Sequence, residues 1–108
     1  MTAAARLTAV MKTLADPTRR AVFERIAGER EIAATALVKG TNVSQPAVSQ
    51  HLRALRDAGL VMERREGRHV YYRLAPKALA PMIDWLSYYR AFWRERFENL
   101  EELLKEDE

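Results

Sequence analysis

Residues 41–75, TNVSQPAVSQHLRALRDAGLVMERREGRHVYYRLA, pass from a helical to a strand-like apolar rhythm within one short stretch. In its first half, Val48, Leu52, Leu55 and Leu60 fall mostly four and three apart, which makes one buried helical stripe. Ser44 suits the cap of that helix and Gly59 its end. The opposite face carries short polar side chains and an arginine. In the second half, residues 60–64 and 70–74 are short runs of β-formers around Glu66-Gly67, the pattern of a two-stranded hairpin. Its turn region, Arg64-Arg65-Glu66-Gly67-Arg68-His69, is strongly basic. Any fold for this chain must bury one side of that helix and leave the hairpin tip in contact with something polar.

The rest of the chain is mostly helical. Residues 3–14 place Leu7, Val10, Met11 and Leu14 on one side of a first helix. Asp16-Pro17 restarts the chain, because Asp16 can accept from free amides and Pro17 suits the first helical position. The second helix runs to about Gly28 and buries Val22, Phe23 and Ile26. Residues 32–39 read as a short third helix with Ile32, Ala36 and Leu37 inward, followed by a turn at Gly40-Thr41-Asn42. From Pro76 onward the pattern is helical again, with Pro81 in the first turn or breaking a short preceding one. Met82, Leu86, Tyr89, Trp93, Leu100 and Leu103 then recur at spacings of three, four and seven, close to the heptad seam of a helix pair. About 25 residues give a rod of roughly 37 Å. So small a domain cannot cover both sides of it. Trp85, Tyr88, Tyr89, Phe92, Trp93 and Phe97 crowd this helix, and they read as dimer core before they read as an effector pocket.

At 108 residues one domain is the expectation, spanning 1–108, with 1–14 and 77–105 as dimerisation helices. The chain is 48% hydrophobic, enough for a small core. Small cores are often completed by a partner subunit, so a homodimer is expected. The net charge of +3 hides an asymmetry: residues 94–108 hold three basic side chains against seven acids, a net of −4, which leaves +7 on residues 1–93. A basic body with an acidic tail fits a polyanionic partner. The absence of cysteine excludes disulfides, thiolate metal sites and thiol redox sensing. No apolar run approaches membrane-spanning length and the N-terminus lacks a signal-peptide core, so a soluble cytoplasmic chain with no membrane partner is expected.

A polar-faced helix followed by an arginine-rich hairpin is the layout of a winged helix-turn-helix, whose partner is double-stranded DNA. Gln45, Ala47, Ser49, Gln50 and Arg53 are the base-facing candidates. Glutamine can bond adenine in bidentate fashion, arginine can do so with guanine, and Ala47 can meet a thymine methyl. Ser44 combines helix cap with phosphate donor, beside amides that themselves suit a phosphate. His51 either reaches the DNA backbone or packs beside Leu52 and Leu55. Arg64, Arg65, Arg68 and His69 lie where a wing enters the minor groove or clamps phosphates. Three arginines within five residues repel one another unless an anion relieves them, which favours a DNA contact there. Arg73 can contact phosphate or pair with an acid.

Three segments carry a family resemblance: LADPTRRAVF at 14–23, SQPAVSQHLRALRDAGLV at 44–61, and RREGRHVYYRL at 64–74. Together they resemble the ArsR-type, arsenical-repressor-like, winged-helix transcription regulators over about residues 5–104. The resemblance implies a mostly α fold of five to six helices around a small β-hairpin, with a two-fold interface made by the first and last helices. It makes 44–58 the recognition helix and 64–69 the wing. The expected interface residues are Leu7, Val10 and Met11 on the first helix, with Met82, Leu86, Tyr89, Trp93 and Leu100 on the last. The implied function is a homodimeric repressor of an inverted-repeat operator, with room for a small-molecule effector. The last helix, WLSYYRAFWRERF at 85–97, is similar to that of a metal-free branch.

The family's metal sites do not carry over. A C-x-C pattern is expected in the third helix, where Glu31-Ile32-Ala33-Ala34-Thr35 offers no thiol. Asp84 on the last helix has no histidine beside it, since His51 and His69 are the only two. No metal and no cofactor are therefore expected. No cysteine nucleophile, Gly-rich phosphate loop or serine–histidine–acid set supports an enzyme. The remaining alternative is a winged-helix dimer that binds protein and not DNA.

Overall fold

The computed structural model describes residues 2–106. The elements run α1 (Ala3–Ala15), α2 (Pro17–Ala27), β1 (Ile32–Ala33), α3 (Ala34–Lys39), α4 (Gln45–Asp57), β2 (Val61–Glu66), β3 (His69–Leu74), α5 (Ala80–Ser87) and α6 (Arg90–Glu106). The described residues form a winged helix-turn-helix of six helices and a small antiparallel sheet.

Local chemistry sets the helix ends. The Thr2 hydroxyl accepts from the Ala5 amide at 3.0 Å, and Asp16 Oδ2 accepts from the Arg19 amide at 2.8 Å. Each bond satisfies a donor that the first helical turn leaves open. At the far end of α4 the Gly59 amide donates to the Arg56 carbonyl and the Leu60 amide to the Leu55 carbonyl, both at 3.0 Å. With Gly59 at φ +77°, this is a Schellman stop. It turns the chain so that Leu60 lands beside Leu55, both fully buried. Among the described residues Gly67, at φ +60°, is the other left-handed position. It opens a two-residue turn between paired Glu66 and His69, and a glycine in that place allows a type II′ hairpin.

The core gathers one or more residues from nearly every element of the body. Val10 comes from α1, and Val22, Phe23 and Ile26 from α2. Leu37 comes from α3, and Val48, Leu52 and Leu55 from α4. Ile32, Leu60, Val61 and Tyr72 close it on the sheet side.

Several sequence expectations change. Ile32 belongs to a strand, not to the third helix: Ile32 pairs with Tyr72 and Ala33 with Tyr71, so the sheet has three strands in the order β1-β3-β2. A two-residue strand has no periodicity of its own; its ladder exists only because β3 lies alongside. The strands also reach further than expected, and most of 64–69 is paired strand. Val10, expected at the subunit interface, is 1% exposed and lies in the core of its own chain. Met82 is half-buried against that core.

The long C-terminal rod is broken at Tyr88-Tyr89. There the Tyr88 amide bonds the Trp85 carbonyl and the Tyr89 amide the Leu86 carbonyl, a tightening to i→i+3. The Ser87 hydroxyl donates to the Asp84 carbonyl at 2.6 Å, competing with the regular ladder. Beyond this break no residue of α6 is buried. The radius of gyration is 17.7 Å, against about 13 Å for a compact chain of this length. The helix projects away from the body.

Candidate nucleic-acid interface

The segment α3–turn–α4 presents one face of α4 outward. Ser44 caps the helix by accepting from the Ala47 amide at 3.3 Å, and Pro46 sits in the first turn. With Val48, Leu52 and Leu55 turned into the core, the 100° step of the helix leaves Gln45, Ser49, Gln50 and Arg53 exposed on the other side. None of these four side chains has a hydrogen bond or ion pair among the described residues. Ala47 is half-buried at the edge of that face.

His51 sits between α4 and α2. It is half-buried, and its Nδ1 accepts from Arg19 Nε at 3.3 Å. That bond ties His51 to α2.

The arginines of the hairpin divide into two groups. Arg64 is held on three sides. Its Nε and Nη2 bond the two carboxylate oxygens of Glu31 at 3.1 and 2.6 Å, Nη1 bonds Glu66 at 2.8 Å, and the guanidinium lies 4.6 Å over the Tyr71 ring. Arg64 holds the Glu31 carboxyl below the ordinary carboxylate range. Arg65 Nε bonds Glu63 at 3.2 Å. By contrast Arg68, at the turn, is exposed and has no partner among the described residues. His69 is exposed, with its ring 6.3 Å from that of Tyr71. The crowding of arginines, taken from the sequence as a reason for an external anion, is relieved largely by the chain's own glutamates. Sequence reasoning missed Glu31 and Glu63 because their partners are distant in the chain or arranged only by strand pairing.

Glu63 joins the recognition segment to the wing. It accepts from Arg56 of α4 and from the Tyr72 hydroxyl, both at 3.1 Å, and from Arg65. Burial works to raise its pKa, but the hydrogen bonds from Tyr72 and Arg65 and the charges of Arg65 and Arg56 outweigh it and lower the value below 4.5. Burial pushes the Tyr72 phenol up, and Glu63 adds to the effect. A carboxyl whose folded pKa is depressed contributes stability above its unfolded value, and loses it as pH falls through the folded one. Glu63→Gln should therefore flatten the loss of stability on acidification below about pH 4.5. Urea unfolding at pH 6 and pH 3.5 checks this: an identical pH effect in both proteins would remove Glu63 from the account.

A second feature lies away from this face. A groove of about 730 Å³ runs between α1, α5 and the Ala58-Gly59 turn, with Leu7, Val10 and Trp85 among its walls and Arg6, Lys77 and Asp84 as charged neighbours. Past it, α5 and α6 expose Leu86, Tyr89, Trp93 and Leu100 by 41–49%. Met11, on α1, is 37% exposed, and Leu7 is half-buried. Among the described residues no group of three or more histidine or acidic side chains is placed to hold a metal, and the donors at 31–35 and Asp84 do not form such a set. No helix among them is long and apolar enough to cross a membrane.

Comparison with known proteins agrees with this geometry. A family model described as a helix-turn-helix domain matches residues 14–64. The chain is 47% identical over 68 residues to the arsenic resistance transcriptional regulator ArsR1 of Pseudomonas putida, covering 63% of this chain but only 53% of that protein. It is 43% identical over 82 residues to the HTH-type transcriptional regulator Rv2034 of Mycobacterium tuberculosis, covering 76% of this chain and 73% of the relative. The solution structure of a homodimeric winged helix-turn-helix DNA-binding domain from Mycobacterium bovis, a possible ArsR-family regulator, superposes with a TM-score of 0.63 at 30% identity, over 80% of this chain and 79% of that one. On these matches, the chain belongs to the ArsR family of winged helix-turn-helix transcription regulators.

Proposed function

We propose that the protein is a homodimeric DNA-binding transcription regulator, acting as a repressor on a short inverted repeat. The observation that carries this reading is the face of α4: four polar side chains, unpartnered and exposed, on a helix whose other side is locked into the core. In this reading Gln45, Ala47, Ser49, Gln50 and Arg53 read base edges in the major groove, Ser44 and the first amides of α4 meet a phosphate, and Arg68 with His69 reaches the adjacent backbone or minor groove. Leu7, Met11, Leu86, Tyr89, Trp93 and Leu100 form the two-fold contact. Half-sites then lie about 10 base pairs apart. The protein works in the cytoplasm, without catalysis. A small-molecule effector that altered the spacing of the two recognition helices would change operator occupancy, and the α1–α5 groove has the size of such a site.

Selection of bound duplexes from a random pool tests the reading directly. A two-fold symmetric consensus is expected. On that duplex Arg53→Ala should cost about 1–3 kcal/mol and relax preference at one position, whereas Arg68→Ala should weaken all sequences alike and reduce the salt slope by about 0.9. Recovery of no duplex at low salt would favour a protein-binding module instead.

A further inference from the structure

Among the described residues, no strand lies beside the outer half of the wing. β1 pairs with β3 only at Tyr72 and Tyr71, so from Val70 outward the hairpin is a two-stranded ribbon. Such a ribbon is marginally stable alone and twists freely. Its direction is therefore fixed at its root, and the root is where Arg64 stands. Arg64 faces Tyr71 across the strand pair and covers its ring. On one side it grips Glu31, immediately before β1, through two parallel bonds; on the other it holds Glu66, two residues further along its own strand. The bidentate grip fixes an angle as well as a distance.

We propose that Glu31 and Arg64 form a positioning clamp that aims the wing tip, so that an acidic residue on the body increases affinity for a polyanion. This rests on the DNA-binding reading. In this scheme Glu31 is a positioning residue: it acts through Arg64, which acts through the ribbon on Arg68 and His69. The sign of the effect separates the clamp from simple electrostatics. Removing a negative charge from a DNA-binding body should tighten binding if charge alone counts. If Glu31 aims the wing, removing it should weaken binding.

The experiment compares wild type, Glu31→Gln, Arg64→Glu and the exchanged pair Glu31→Arg with Arg64→Glu on the duplex selected by the wild type, across a salt series. The clamp predicts that Glu31→Gln weakens binding about two- to fivefold, the range of an exposed ion pair, with an unchanged salt slope. The exchanged pair should recover most of what Arg64→Glu loses. Amide hydrogen exchange of residues 65–70 should quicken in Glu31→Gln and slow again in the exchanged pair. Binding equal to or tighter than wild type in Glu31→Gln overturns the clamp. So does a slope lower by about 0.9 or more in Arg64→Glu that the exchange does not restore, since that marks Arg64 as a phosphate contact. If the wild type selects no duplex, the DNA-binding reading fails by itself. Hydrogen exchange then decides the clamp: quickening at 65–70 in Glu31→Gln sustains it and unchanged wing protection overturns it.

Discussion

Replacing Leu86 and Trp93 together by alanine is expected to leave a folded subunit that sediments as a monomer. Both side chains are more than 40% exposed within one chain, and neither belongs to its buried core. Their truncation should thus spare the body, and helical circular dichroism should fall little. They belong to an apolar surface that continues along α5 and α6 through Ile83, Phe97 and Leu103, each at least 59% exposed. A monomer in water rarely shows so long an apolar stripe. The cost to DNA binding should exceed that of any single base contact. Two linked recognition helices gain about 10²–10⁴ in affinity over one, through effective concentration, and the double variant forfeits it. Sedimentation together with binding to the selected duplex checks both parts. A stable dimer with wild-type affinity would take α5 and α6 out of the interface.

Leu55→Ala is expected to be the most damaging single change within the subunit. Leu55 is fully buried in the last turn of α4, and its carbonyl receives the Leu60 amide at the helix stop. Leucine-to-alanine changes at such sites cost about 2–5 kcal/mol. A domain of this kind has about 5–15 kcal/mol in total, so the variant should approach unfolding at growth temperature. Arg53→Ala, two residues earlier and solvent-exposed, should cost within about 0.5 kcal/mol. Urea denaturation of the two variants gives the comparison, and a loss below 1 kcal/mol for Leu55→Ala would contradict the packing described. The contrast also isolates function from stability on a single helix: one face holds the fold, and the other is available for a partner.

That two-faced helix is legible in the sequence alone. Val48, Leu52 and Leu55 repeat at the helical period, Ser44 and Gly59 punctuate the ends, and Gly67 between two β-rich runs marks the hairpin. Each signal is local: a side chain, its neighbours within a turn, and the backbone angle they allow. For the same reason the sequence by itself determined the order of the body's helices and of the hairpin, the cap at Asp16 and the polar face of α4. Tertiary structure alone decided the rest. The strand at Ile32 exists because β3 offers a ladder. The inward place of Val10 follows from packing of α1 on α2 and α5, which one helix's periodicity cannot distinguish from an interface. Arg64 and Arg65, expected from the sequence at a DNA-contacting wing, are ion-paired with Glu31, Glu63 and Glu66 in the folded chain. Glu31 lies 33 residues from Arg64 along the chain. Ion pairing depends on distances in space, and no spacing in a sequence encodes a distance that only the folded sheet brings within hydrogen-bond reach.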